Sequence, residues 1–165
     1  MNSPLPYSDR KAQGTADFYF AINATFRFIQ TRLGLEGLRR YWTDLGKAYF
    51  VVVSQRWKER GLVGVAEYWR AFFAAEPGAK VEVVESRDSV NLNVKVCPAI
   101  HHLRQHYREI VPCFCQHCYF VSEAMAAAVG LTVRVAGGNG RCCQTFSRRN
   151  ALAEEQDLAQ IEEVT

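Results

Sequence analysis

The chain reads as an α+β domain: N-terminal helices packed on a small antiparallel sheet, with two further helices and a C-terminal hairpin. Three observations lead there. Through the first half of the 165 residues, apolar side chains recur at helical spacing; after Pro77-Gly78 they switch to strict alternation. Near the end, an alanine-rich helix gives way to a Gly-Asn-Gly turn, the strongest short hairpin signal. A hydrophobic content of 48% over this length suits one domain with a real core.

Taken in order, residues 1–14 read as a disordered N-terminus. Thr15–Leu33 reads as a helix, with Phe18, Ile22, Phe26 and Ile29 on one face and Gly34 as its C-cap. A second helix, Glu36–Arg60, carries Leu38, Trp42, Leu45, Tyr49 and Val52 and stops at Gly61. A third, Val63–Ala75, carries Val65, Tyr68, Trp69 and Phe72 until Pro77-Gly78 breaks it. Val81 and Val83, then Val90, Leu92, Val94 and Val96, alternate with polar residues across Arg87-Asp88-Ser89, which is a hairpin with one buried face. A short helix, Ala99–Ile110, follows, and Pro112 opens another that runs to Gly130. Leu131, Val133 and Val135 form a strand that turns at Gly137-Gly138-Asn139-Gly140 and returns as Cys142–Phe146. Residues 15–147 thus form the domain, and 148–165 an acidic tail read as a peripheral helix or disorder.

Charge and hydropathy narrow the partners. A net charge of +3 and a pI near 8.6 are too mild for nucleic acid, and Lys and Arg are dispersed apart from pairs such as Arg39-Arg40 and Arg148-Arg149. Met1 to Gln13 hold no apolar signal core, and the apolar runs Ala48–Val53 and Ala124–Leu131 fall far short of a bilayer span. The expectation is a cytoplasmic protein with reduced thiols and no membrane partner. Six cysteines there point to metal binding or catalysis ahead of disulfides, the plain alternative being small buried hydrophobes.

The cysteines are not scattered. The 22 residues from Cys97 to Cys118 contain every histidine of the chain and four of its six cysteines. Cys97 ends an alternating strand, and Cys115 and Cys118 form a C-x-x-C at the start of a helix, where they share a face with Ser122. A short connection packs that helix beside the following hairpin, which brings Cys142 toward them. Cys142 and Cys143 face opposite ways on their strand, so one site takes only one of them; Cys142, on the side of Gln144 and Phe146, is the choice. Cys97, Cys115, Cys118 and Cys142 are therefore the candidate metal ligands, for zinc or an iron–sulfur cluster.

His102 and His106 stand at i, i+4, but Leu103-Arg104-Gln105 between them lacks the glutamate of a metalloprotease helix, and with Arg104 and Arg108 nearby they read as a solvated basic face. His117, inside the C-x-x-C, is better placed to act at the site. The glycine-rich turn lacks the Lys-Ser/Thr of a phosphate loop; its Asn139 amide is a candidate ligand contact.

The helical first half, Cys97-Pro98, the Cys115–Cys118 helix and Gly138-Asn139-Gly140-Arg141-Cys142 before a strand together resemble the L-2-amino-thiazoline-4-carboxylic acid hydrolase-like family. That family resembles in turn the 4-vinyl reductase-type ligand-binding domains, where cysteines around a final hairpin can hold zinc. The resemblance spans roughly Thr15 to Phe146 and implies hydrolytic opening of a cyclic C=N compound. The chain departs from the pattern where an acidic residue is expected after the cysteine helix begins: it has thiols there, and Glu123 is the nearest carboxylate.

The functional expectation is a metal-dependent hydrolase acting on a small cyclic amidine- or amide-like substrate. The thiolate-bound metal polarises water or the C=N bond, and His117 or Glu123 carries the proton. Without a metal, Cys118 beside His117 is a nucleophile. The alternative is a non-enzymatic sensor or carrier of a small ligand with a structural zinc or iron–sulfur site. Self-association is left open.

Overall fold

A computed structural model describes residues 15–150 and 155–165. The reading of residues 1–14 lies outside these. The architecture is α+β. Two long helices, α1 (Phe18–Ala48) and α2 (Val51–Ala75), precede a hairpin of β1 (Lys80–Glu85) and β2 (Ser89–Val96). There follow α3 (Pro98–Gln105), a 3-10 turn (Pro112–Cys115), α4 (Gln116–Ala127) and a second hairpin of β3 (Leu131–Gly138) and β4 (Arg141–Arg148). A two-residue strand, β5 (Ile161–Glu162), closes the chain. The sheet order is β1-β2-β4-β3-β5, antiparallel except for β5, which runs parallel to β3.

Gly34 leaves the helical region in α1 at φ 70, and Gly61 does so in α2 at φ 59, so the breaks expected at these glycines exist, but each helix resumes beyond its kink. The expected helix Glu36–Arg60 is corrected: it divides at Tyr49-Phe50. Its first part packs on α4, where Gly46 lets the backbones meet; a Cβ there would stand 2.5 Å from the Val121 carbonyl oxygen. Its second part turns to cover β1 and β2. One straight helix cannot do both, so Tyr49 and Val52, read as core, are 75% and 74% exposed, while Trp42 and Trp57 are fully buried.

The helix expected over Ala99–Ile110 is shorter, ending at Gln105, with Tyr107 at φ 52 just beyond. The tail is also corrected. Instead of a peripheral helix or disorder, residues 155–165 form a short 3-10 turn and β5, and Ile161 and Val164 are buried. Gly138 permits this docking, because a Cβ there would lie 2.3 Å from the Glu162 carbonyl oxygen.

Two apolar clusters result. One joins the inner face of the sheet to α2 and α4, around Trp57, Leu92, Met125, Val133 and Phe146. The other joins α1 to α3 and the 3-10 turn, around Phe26, Trp42, Ile100, Leu103 and Phe114. Cys97 packs against the second, Cys142 against the first, and Cys115 against both. The expected ligands therefore gather at the seam between the cores.

Candidate functional site

Each of the four thiols reaches this seam by a local rule. Val96 ends β2, and Pro98 starts α3 at the position proline favours, which makes Cys97 the N-cap. Its main-chain N–H donates to the Gly140 carbonyl at 2.9 Å, tying the strand end to the second hairpin. Pro112 starts the 3-10 turn that delivers Cys115 as N-cap of α4, and Cys118 follows in the first turn. Asn139 and Gly140, at φ 51 and 101, make the two-residue turn that suits the twist of β3 and β4. The register then sets Cys142 opposite Val94 and Cys143 opposite Asn93. Val94 faces the core; Cys143 faces the other way, its Sγ 3.5 Å from Asn93 Oδ1. Cys142 and Cys143 therefore face opposite sides of the sheet, as strand alternation requires.

All six cysteines are free. Burial, and then the neighbouring Cys118 thiol, pushes Cys97 up to about 11. The same two causes push Cys115 up to about 12 and raise Cys142 as well, with Cys97 and Cys115 also acting on Cys142. Burial pushes Cys118, at the centre of the group, up to about 12. Cys113 stands apart: burial raises its thiol, but the charges that act on it belong to Glu163 and Arg39. The four expected ligands are thus one electrostatic neighbourhood, without Cys113. Among the described residues, no three His, Cys, Asp or Glu side chains converge closely enough to hold a metal ion as they stand. Neutral thiols are weak donors and acceptors, so little draws them onto a common centre.

Nearby N–H groups oppose the effect of burial on these thiols. The amides of Ala99 and Ile100 at the start of α3 lower the Cys97 thiol, and those of Asn139 and Gly140 the Cys115 thiol, against the larger effect of burial, although neither sulfur accepts a helix-cap hydrogen bond. Cys118 has its own main-chain N–H, and the Gln144 carboxamide nitrogen lies 3.8 Å from Cys142 Sγ. Arg104 adds positive charge near Cys97 and holds the turn through the Asn139 carbonyl at 3.1 Å. Each contact favours thiolate over thiol, opposing burial, and the N-termini of α3 and α4 act in the same sense.

The other expected site residues go elsewhere. His117 bonds the Phe114 carbonyl through Nδ1 at 2.7 Å, and its ring packs among Phe26, Trp42 and Phe114. Cys118 Sγ lies 3.8 Å from its Nε2 and 3.9 Å from its Nδ1, and burial lowers the basicity of the ring. Both shifts oppose formation of a thiolate–imidazolium pair. Glu123 accepts from the Val133 amide at 2.8 Å, from Thr132 Oγ1 at 3.0 Å and from Arg149, clamping α4 to β3. Asn139 receives Arg104 and donates to Thr165 Oγ1 at 3.0 Å, so its amide fixes the C-terminus against the turn. The His102 and His106 rings lie 4.3 Å apart in a tilted arrangement, with Phe20 of α1 4.9 Å from the first and 5.2 Å from the second, and Asp17 Oδ1 is 3.2 Å from His102 Nε2.

Two neighbours of the thiols lie outside the expected site. Tyr19 donates its hydroxyl to Glu76, and its ring is within electrostatic reach of Cys97 and Cys118. Glu76 ends α2 just before β1, whose Lys80 pairs with Val96 at the approach to Cys97. They are 57 residues apart, so no local motif announces the pair. Gln144 was legible, since strand alternation sets it on the side of Cys142.

No family model, no curated protein and no solved structure matches this chain.

Proposed function

We propose that Cys97, Cys115, Cys118 and Cys142 hold one metal centre, zinc or an iron–sulfur cluster, in a small domain that senses or carries a small ligand. The observation that carries this reading is the gathering of four free thiols from a strand end, the start of a helix and a hairpin exit, with Cys118 acting electrostatically on the other three. The Gln144 carboxamide beside Cys142 is the kind of outer partner that orients ligands in metal sites. A set of four thiolates fills a tetrahedral ion and favours a structural role for the metal. The engagement of His117 and Glu123 in packing and clamping contacts supports that role, since it removes the two side chains expected to move protons.

The hydrolase reading, with its cyclic amidine-like substrate and the resemblance behind it, stays as the second. What favours it is the Tyr19–Glu76 pair beside the thiols, a hydroxyl and a carboxylate suited to proton movement if one thiol leaves a coordination position open. The test of the metal centre is elemental analysis and a visible spectrum on chain purified without oxygen. About one centre per chain is expected, lost when Cys115 and Cys118 are both replaced by serine; unchanged metal content in that double variant overturns the reading. Ring opening of 2-aminothiazoline-4-carboxylate, followed by mass, separates hydrolase from sensor.

A further inference from the structure

A cleft of about 510 Å³ opens between the end of α2 and the edge strand β1, lined by Arg70, Phe73, Ala74, Glu76, Val81 and Val83. Phe73, Ala74, Val81 and Val83 contribute apolar side chains to it, although more of its exposed surface is polar than apolar. Arg70 is occupied, with Nη1 2.6 Å from Glu85 Oε1 and Nη2 3.3 Å from the Val83 carbonyl oxygen. Glu76 belongs both to this cleft and to the seam, because its other contact is the Tyr19 hydroxyl, next to Cys97 and Cys118. Glu76 therefore joins the cleft to the Tyr19 hydroxyl, which is within electrostatic reach of Cys97 and Cys118.

We propose that this cleft binds a small organic cation, an apolar body with an amidinium, guanidinium or ammonium head, and that Glu76, oriented by Tyr19, holds the head. The inference rests in part on reading the thiols as a metal centre. A divalent ion with four thiolates carries a net charge of about −2, and Glu76 adds to it. Arg104 is the cation acting on Cys97, and it is already committed to Asn139 and to the Thr165 carbonyl. A ligand cation at Glu76 relieves this excess negative charge, and an anion there adds to it. The side chains of Phe73, Ala74, Val81 and Val83 give the body of such a ligand an apolar strip to lie against, within a surface that is otherwise polar.

The experiment uses the full chain as purified, with its metal content measured, and titrates it with benzamidine, benzamide and benzoate by calorimetry. Benzamidine should bind and the other two should bind at least about tenfold more weakly, the loss expected for one charge-assisted hydrogen bond. Glu76→Gln keeps the acceptor for Tyr19 and should weaken benzamidine by a similar factor without changing metal content. Ala74→Trp, at an exposed position, should block the cleft and abolish binding in a chain that still folds. Equal binding of benzamide, no binding of benzamidine, or an unchanged affinity in Glu76→Gln overturns the inference. Glu76-dependent binding in a chain that holds no metal supports the cleft and removes the metal reading alone; a metal-loaded chain that ignores benzamidine does the reverse.

Discussion

Lowering the pH by one unit should cost the metal centre four orders of magnitude in affinity. The thiols lie well above their usual 9.0, with Cys97 near 11, Cys115 and Cys118 near 12, and Cys142 raised in the same direction. In the metal-free chain all four are therefore protonated throughout pH 6.5–7.5, and each becomes a ligand only by losing its proton. Binding then releases four protons, and the apparent affinity falls by about 10⁴-fold across that unit of pH. Three ligands would give about 10³-fold, and two about 10²-fold. Cobalt(II) is a suitable reporter, since its thiolate charge-transfer absorption rises with each sulfur bound. Competition against a chelator of known pH dependence gives the affinity, and an indicator dye in weak buffer counts the protons. Cys142→Ser should reduce the count to three, while Cys143→Ser, whose side chain faces Asn93, should leave it at four. A count of two or fewer in the unaltered chain, or equal losses in the two serine variants, would refute the assignment of these four thiols.

Other outcomes follow from the same contacts. For the metal-free chain, a thiol raised in the fold contributes stability that is complete below the unfolded value of 9.0 and is lost as pH climbs through 11–12. Tyr68, pushed up to about 12 by burial, acts in the same direction, so urea midpoints should drop between pH 8.5 and 10.5, and a rise would contradict the burial. Glu123→Ala should cost about 1–3 kcal/mol by stranding the Val133 amide and Thr132; metal content should hold, and its loss would return Glu123 to the site. Gly46→Val should destabilise by at least about 1–3 kcal/mol, because the new side chain meets the Val121 carbonyl and the Ala124 methyl. A neutral result in denaturant titration would mean that α1 and α4 pack less closely than described.

Local rules account for much of this molecule. The period change at Pro77-Gly78 announced helices before strands, alternation in Val90–Val96 set the buried face of β2, and Asn139-Gly140 closed the second hairpin. The same alternation separated Cys142 from Cys143, and Cys97-Pro98 marked a helix start at a thiol. These features depend on residues within a few positions of one another, where steric and hydrogen-bonding preferences act alone.

What local pattern could not decide is where each face goes. The stripe from Leu38 to Val52 is continuous in helical periodicity, yet α1 must meet α4 while α2 must cover β1 and β2, so the chain bends at Tyr49-Phe50 and exposes part of the stripe. His117 and Glu123 lie beside the cysteines in sequence, but the aromatic ring cluster takes one and the Val133 amide takes the other. Tyr19 and Glu76 arrive at the thiols from opposite ends of the two long helices, and the C-terminal residues return to clamp the Asn139 turn. Such meetings depend on the packing of whole elements against a shared core, and a pattern read over a few residues contains no measure of that.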